Sequence, residues 1–304
     1  MAAGIITTGT FPKLLLPGIR ELFGLEYSQL PKVHERVFEK MSSEKNFEEV
    51  LELAGVGLAT SKTEGAMISY DSAKQGITQR FVHTVYGKGM LLTREAIEDN
   101  QYLALAQIMT REIAKSLVHA KDTIAANIFN RAFNSSYTLA DGQQLCDTDH
   151  VVATGGTFKN KLTTNADLSE TSLEQAIIDI YDLVGPDGLK IDVTPRELLI
   201  PHNLIFDAHR LLKSELRPNS ANNDANAARD MGMISEIIPW RRLTDTDAWF
   251  ILTDARPGRV LYQRREPMMD SENDFDTQNA KFIGTERYSL GVADTRSVFG
   301  SAGA

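Results

Sequence analysis

The densest group of side chains that could do chemistry is formed by Cys146, Asp147, Asp149 and His150. A cysteine and a histidine separated by three residues could supply half of a zinc site. A tetrahedral zinc ion needs a second pair of ligands, and the sequence has none nearby. We therefore expect a loop whose aspartates and histidine make turn and capping hydrogen bonds. The sequence predicts no metal site and no cofactor.

Other catalytic motifs are also missing from the sequence. The segment Gly87-Lys88-Gly89 lacks both the earlier glycine and the following hydroxyl residue that a phosphate-binding loop requires. His202 and His209 have no carboxylate at a useful spacing, and neither a GxSxG nor an HExxH pattern occurs. We expect no catalytic residues and a protein that is not an enzyme.

The composition excludes several other classes of protein. The 304 residues carry a net charge of −9, so the basic surplus of a protein that grips nucleic-acid phosphates is absent. A single cysteine rules out an intrachain disulfide and favours a reducing compartment. No apolar run approaches the roughly 18 residues of a membrane span, and the first residues do not resemble a secretion signal.

A long helix over 93–133 is the element that must organise the chain. The stretch contains no glycine or proline, and residues expected on one face recur every three or four positions. Lys121 and Asp122 are expected away from that face. From Gln101 to Phe133 such a helix spans about 50 Å, which favours the spine of a flat subunit but also suits a core helix of an enzyme. The expected face consists of Ile97, Gln101, Leu105, Met109, Ile113, Leu117, Ala120, Ile124 and Ile128.

Residues 1–50 are poorly suited to an independent domain. Glycines and prolines interrupt short apolar clusters, which include Leu14, Leu15, Leu16 and Phe23. Because exposed Leu and Phe are costly in water, this arm should lie against its own domain or over a neighbouring subunit. A short helix is predicted around residues 14–22.

A β-hairpin is predicted to project from the body. Two β-rich runs, 47–53 and 77–86, flank a polar, glycine-bearing stretch. A hairpin with so little apolar surface is marginal alone, so either a partner covers it or it is a mobile surface flap.

The second half of the chain predicts an α/β lobe. A strand at 195–201, a helix capped by Asn203 and running to Leu216, and a polar loop at 217–232 alternate there. Two more strands are predicted at 233–238 and 248–252.

Helices and strands are also predicted on both sides of this lobe. Ser169 or Thr171 should cap a helix that precedes the lobe. Closing strands are predicted at 260–263, 276–285 and 287–298, with the last two pairing antiparallel along the long helix.

This order of parts resembles the major capsid (head) protein of tailed bacteriophages, and specifically its Mu-like major head subunit branch. The resemblance is carried by YGKGMLLTREAIEDNQY (86–102), LADGQQLCDTDHV (139–151) and ERYSLGVADTRSVFG (286–300). It implies an α+β chain with the Hong Kong 97-type phage capsid fold. The implied parts are an N-terminal arm (1–50), an E-loop hairpin (51–88), a peripheral domain (89–185 and 251–304) and an inserted α/β axial domain (186–250).

The resemblance also implies a function and partners. Copies would self-assemble into pentamers and hexamers of an icosahedral head shell that encloses double-stranded DNA without sequence-specific binding. A separate scaffold or protease, a portal and a decoration protein would be further partners. No membrane is involved, and the protein would occupy the virion after assembly in the host cytoplasm. We expect either that the scaffold is a separate protein or that this chain is the processed form of the capsid protein.

Intersubunit contacts are expected in the arm, the hairpin and the axial lobe. Some relatives crosslink through a hairpin lysine, but nothing in the sequence marks Lys62 or Lys74 for that chemistry. Arg241 and Arg242 could form salt bridges within the subunit or across an interface. The candidates are Leu14, Leu15, Leu16, Phe23, Lys62, Lys74, Arg241 and Arg242.

Two alternatives remain open from the sequence. One is an encapsulin-like shell protein, and the other is an α/β enzyme with loop 217–232 as a lid.

Overall fold

The computed structural model describes residues 11–93, 95, 102–216, 225–273 and 279–304. Over these ranges the helices are α1 (Phe11–Gln29), α2 (His34–Val37), α3 (Tyr102–Asn130), α4 (Glu170–Tyr181), α5 (Ile205–Lys213) and α6 (Ala227–Asp230). The strands are β1 (Glu39–Ser42), β2 (Phe47–Ala54), β3 (Lys74–Val82), β4 (Thr84–Leu92), β5 (His150–Val151), β6 (Thr157–Phe158), β7 (Pro195–Ile200), β8 (Glu236–Pro239), β9 (Trp249–Thr253), β10 (Arg259–Asn273), β11 (Ala280–Val292) and β12 (Val298–Ser301).

The main sheet has the order β1-β10-β11-β4, and its long β10–β11 pair is antiparallel. Helices α1 and α3 pack on this sheet through a core that includes Phe23, Ile113, Leu117 and Phe282. The predicted antiparallel pairing of strands 276–285 and 287–298 with each other is wrong, because both runs belong to the single strand β11, which continues through Glu286. The antiparallel partners of β11 are β10 and β4.

The second sheet has the order β12-β9-β7-β8 and belongs to the α/β lobe. The predicted strands at β7, β8 and β9 are confirmed. The prediction of a closing strand at 287–298 is wrong at its end. The strand of the main sheet, β11, ends at Val292, and Val298 begins β12, which pairs antiparallel with β9 of the second sheet. All residues of β12 are buried, so this short strand needs cover on both faces and finds it inside the lobe.

The long helix is present as α3, whose 29 described residues extend about 43 Å. It ends at Asn130 rather than Phe133, and the prediction for residues 94 and 96–101 falls outside the described residues. Its buried face is rotated from the predicted one. Met109 is 42% exposed, whereas Lys121 and Asp122 are 3% and 5% exposed, so their predicted outward placement is wrong.

Two helix ends also differ from the sequence prediction. Helix α1 is longer than expected, since Phe23 and Tyr27 both pack on the spine and sheet. Asn203 does not cap α5, which follows a 3₁₀ turn at His202–Leu204 and has no side-chain cap. The predicted cap of α4 by Ser169 is confirmed, and Ser172 completes a capping box.

No helix within the described ranges combines the length and the apolar character needed to cross a bilayer.

Candidate subunit-contact surface

The predicted hairpin is confirmed. Strands β2 and β3 pair antiparallel from Phe47↔Val82 to Ala54↔Lys74. Residues 55–73, which we name the hairpin tip, contain no strand. Two side-chain contacts nevertheless cross the tip: Asp71 Oδ2 accepts from the Gly57 amide at 2.9 Å, and the hydroxyls of Thr60 and Ser69 lie 2.9 Å apart.

The hairpin tip carries apolar side chains that its own subunit does not cover. Leu58 is 77% exposed, Met67 87% and Tyr70 89%, and Val56 and Ile68 are also exposed. Isolated exposed apolar residues are ordinary, but a contiguous segment of them marks an interaction surface. The tip is therefore the strongest candidate surface for covering by another molecule.

The junction between the hairpin and the main sheet is held by a buried histidine. His83 stands between β3 and β4, with Nδ1 2.9 Å from Ser289 Oγ and Nε2 3.0 Å from Ser43 Oγ. Burial, and then the nearby Arg287, lower the pKa of His83. The ring thus links the connection between β1 and β2, where Ser43 lies, and the end of β3 to β11.

The base of the hairpin is also fixed on the body. Gln79 Oε1 accepts from the Ala140 amide at 3.1 Å, and Glu52 Oε1 lies 2.8 Å from Nη1 of the buried Arg296. A fixed base with a bare tip presents the apolar side chains at a defined place.

Helix α1 is anchored to its own subunit by a buried ion pair. Lys121 Nζ lies 2.5 Å from Glu286 Oε2 and donates to Tyr27 Oη at 3.0 Å and to Gln263 Oε1 at 3.1 Å. Burial lowers the pKa of Lys121, and the Glu286 carboxylate opposes that change. The ammonium group is buried because three acceptors from α1, β10 and β11 meet it.

The neighbouring Asp122 connects α3 to α2 and to the α/β lobe. Its carboxylate accepts from the His34 amide at 3.1 Å, from Trp240 Nε1 at 3.0 Å and from Arg242 Nε at 2.7 Å. Burial alone would raise the pKa of Asp122, but the hydrogen bonds from His34, Trp240 and Arg242 lower it to about 2. The sequence signal for both inward charges was their spacing, since Lys121 follows the buried Leu117 by one helical turn.

The contact candidates from the sequence are scattered. Phe23 is buried within its own subunit and so needs no neighbour to cover it, and Arg242 is engaged by Asp122. Exposed positions are held by Lys62, Lys74 and Arg241. The side chains of Leu14, Leu15 and Leu16, which belong to α1, lie outside the described residues.

The side chains around Cys146 take part in hydrogen bonds that hold the loop at 141–150 to Asn160 and to the segment 295–298. His150 Nδ1 lies 2.5 Å from Asp141 Oδ2, and its Nε2 lies 3.1 Å from Asn160 Oδ1. Asn160 Nδ2 in turn donates to the carbonyls of Leu145, Thr295 and Val298. Cys146 is fully buried, and burial raises the pKa of its thiol. The expected loop hydrogen bonds are confirmed, and the described ranges contain no cluster of three or more potential metal ligands.

Comparison with known proteins gives a family match. A family model described as phage capsid protein matches residues 77–300. No match was found among curated proteins.

Solved structures share the fold at low sequence identity. The capsid of cyanophage P-SCSP1u has 12% identity and a TM-score of 0.56, covering 90% of this chain and 88% of that one. A virus-like particle from Pyrococcus furiosus has 8% identity and a TM-score of 0.55, with 94% and 98% covered. A structure from Mycobacterium phage Che8 has 14% identity and a TM-score of 0.52, with 89% and 90% covered. The predicted capsid fold is confirmed.

Proposed function

The chain belongs to the phage capsid protein family, and we propose that its copies tile as pentamers and hexamers into the icosahedral head shell of a tailed phage. The observation that carries this proposal is the bare hairpin tip on a fixed base. Leu58, Met67 and Tyr70 are each more than three quarters exposed in the single subunit. A shell supplies the missing cover, because every subunit has a neighbour of the same kind.

The energetic gain from covering the tip is substantial. Full burial of a large aliphatic side chain stabilises by about 1.5–3 kcal/mol, and the tip presents several. The tip should lie over a neighbouring subunit, since its own subunit fixes only the base. The gain recurs at every copy of the contact, so a modest contact energy is sufficient to close a large shell.

The domain division predicted from the sequence becomes part of this proposal. The arm takes residues 1–50, the E-loop 51–88, the peripheral domain 89–185 with 251–304, and the axial domain 186–250. Hydrogen bonding supports two refinements: β4 belongs to the main sheet, and β9 and β12 belong to the lobe sheet. Lys62, Lys74 and Arg241 remain candidates for contact with neighbours, because their side chains are exposed.

Further partners follow from the same proposal. A separate scaffold or protease, a portal and a decoration protein would complete the head, which places the chain in the virion after assembly in the host cytoplasm. The net charge of −9 supports enclosure of DNA without a phosphate-gripping surface on each subunit. The proposed role of the chain is structural, without catalysis.

An encapsulin-like compartment is the second candidate. The virus-like particle from Pyrococcus furiosus, 98% of whose chain is covered, shares the fold and suits a shell of either kind, whereas the family match favours a phage head. Neighbouring genes distinguish the two: a cargo enzyme would indicate a compartment, and portal and terminase genes would indicate a head.

The test is assembly of the purified chain, alone and with its scaffold. Gel filtration followed by electron microscopy should show capsomers, tubes or closed particles. Deleting residues 60–75 should leave the thermal unfolding of the subunit unchanged and abolish closed particles. A monomer that persists at high concentration, or normal particles from the deletion variant, would contradict the proposal.

A further inference from the structure

A chain of hydrogen bonds crosses the root of the hairpin, defined as His83 together with residues 43–46, which connect β1 to β2. Ser43 Oγ donates to Glu48 Oε1 at 2.8 Å, so the one proton of this hydroxyl is used there. In the contact of 3.0 Å between Ser43 Oγ and His83 Nε2, the ring is therefore the donor. Nδ1 is then the acceptor of the neutral ring, and Ser289 Oγ donates to it at 2.9 Å. The three hydrogen bonds thus run in one direction, from Ser289 through the neutral ring to Glu48.

Protonation of His83 would reverse the first of these hydrogen bonds. A charged imidazole donates from both nitrogens, so Ser289 would have to turn its hydroxyl proton away from Nδ1. Within the described ranges Ser289 Oγ makes no second hydrogen bond, and the residue is buried, so the displaced proton would lose its acceptor. The hydrogen bonds of the root therefore suit the neutral ring and not the charged one.

The charged groups around His83 also favour its neutral form. Burial of the ring lowers the pKa of His83 from its ordinary value of 6.5, and the guanidinium groups of Arg287 on β11 and Arg264 on β10 lower it further. Glu48 on β2 acts in the opposite direction, with the Ser43 hydroxyl between its carboxylate and the ring. Tyr262 on β10 stands edge-on to the ring at 6.4 Å and stays uncharged, because burial raises its phenol pKa.

The two arginines also hold the connection between β1 and β2 at this point. Arg287 Nη2 donates to Asn46 Oδ1 at 2.5 Å, and Arg264 Nη1 lies 3.5 Å from the Ser43 carbonyl. The His83 amide donates to the Asn46 carbonyl at 3.4 Å, so the same connection is bonded to the end of β3. Neither arginine forms an ion pair with the carboxylate of a described residue. A charge on the ring would therefore meet two uncompensated cations where the hairpin joins the main sheet.

We propose that His83 is an acid-sensitive latch of the hairpin: the neutral ring fixes the hairpin root to β11, and protonation of the ring releases the root. The strands β2 and β3 stay paired with each other, and the hairpin is then held on the body only by the contacts of Gln79 and Glu52 at its base. The placement of the exposed hairpin tip thus depends on pH. The inference concerns the single subunit and holds whether or not the copies tile.

The pH window of the latch follows from the direction of the pKa change. Because the pKa of His83 is lower in the folded subunit than in an open root, the stabilisation by the ring is fully present above about pH 6.5. It is lost as the pH falls through the lowered pKa. Each unit by which the pKa is lowered makes opening of the root about tenfold more frequent at acid pH than at neutral pH.

The test is hydrogen exchange of the full chain by mass spectrometry between about pH 7.5 and about pH 4.5, corrected for the intrinsic pH dependence of amide exchange. Protection of the amides in 43–48 and 80–84 should fall across this range, whereas protection of β7 and β9 in the lobe should stay constant. His83→Gln keeps an uncharged side chain at every pH and should show no fall. The matched control is His119→Gln, at an exposed position of α3, which should behave as the wild type does.

A second measurement keeps the inference falsifiable if His83→Gln does not fold. Nuclear magnetic resonance of the wild-type subunit gives the imidazole pKa of His83 directly, and Arg264→Gln should raise that pKa toward 6.5. An imidazole pKa of 6.5 or higher in the wild type, root amides whose protection does not change with pH, or an equal fall in His83→Gln would each overturn the inference. None of these outcomes bears on the proposed function, which assembly of the chain tests separately.

Discussion

Replacing Met67 and Ile68 by serine removes two adjacent exposed apolar side chains of the hairpin tip. Met67 is 87% exposed and Ile68 63% exposed in the subunit. Full burial of each would contribute about 1.5–3 kcal/mol, and scaling by the exposed fractions gives about 2–4 kcal/mol for the pair. At about 1.4 kcal/mol per tenfold, a loss of about 3 kcal/mol raises the assembly threshold about 100-fold.

The assay measures the lowest protein concentration at which particles form, by light scattering and sedimentation velocity. The stability of the isolated subunit should change by less than about 0.5 kcal/mol, because both side chains are exposed there. The matched control is Met67→Leu with Ile68→Val, which keeps the apolar area and should assemble near the wild-type threshold. An unchanged threshold for the serine variant would refute the assignment of the tip to a subunit contact.

Three further predictions concern the long helix α3. Lys121→Met should destabilise the subunit by about 3–5 kcal/mol in denaturant unfolding, because it leaves Glu286 as a buried unpaired charge, and adding Glu286→Gln should restore most of the loss. Asp122 has its pKa lowered to about 2 and therefore contributes about 2 kcal/mol to the stability of the subunit. This contribution is fully present above pH 3.8 and is lost as the pH falls through 2. Asp122→Asn should therefore flatten the acid limb of the plot of unfolding free energy against pH. Ile113→Asp should abolish folding, as judged by circular dichroism, whereas the matched Ile108→Asp on the exposed side of the same helix should fold.

Local patterns were sufficient to predict the elements that depend on near neighbours. The strands of the hairpin, the body of α3, and the Ser169 cap of α4 are set by residues within one or two turns. The hairpin tip could also be identified from the sequence, because its polarity and glycines contrast with the flanking β runs.

Long-range partners explain what the sequence could not predict. Lys121 is an ordinary surface residue by type, and its burial depends on acceptors far along the chain, Tyr27, Gln263 and Glu286. Asp122 likewise depends on Trp240 and Arg242 in the lobe. The transfer of β12 to the lobe sheet has the same origin, since a short strand pairs wherever an edge such as β9 is open.

The arm shows the limit of reasoning from composition. The apolar residues of 1–50 required cover, but composition cannot tell an intramolecular cover from an intermolecular one. In the structure, Phe23 and Tyr27 are buried within their own subunit, because α3 and the main sheet present an apolar face to them. The prediction for the first ten residues falls outside the described residues.

Electron cryomicroscopy of the assembled particle tests the central claim most directly. The measured quantity is the exposed fraction of Leu58, Met67 and Tyr70 in the shell, compared with more than three quarters in the single subunit. The account predicts that an adjacent copy covers these side chains and that their exposed fraction falls to a small value. Tips that remain in solvent, or that fold back onto their own subunit, would contradict it.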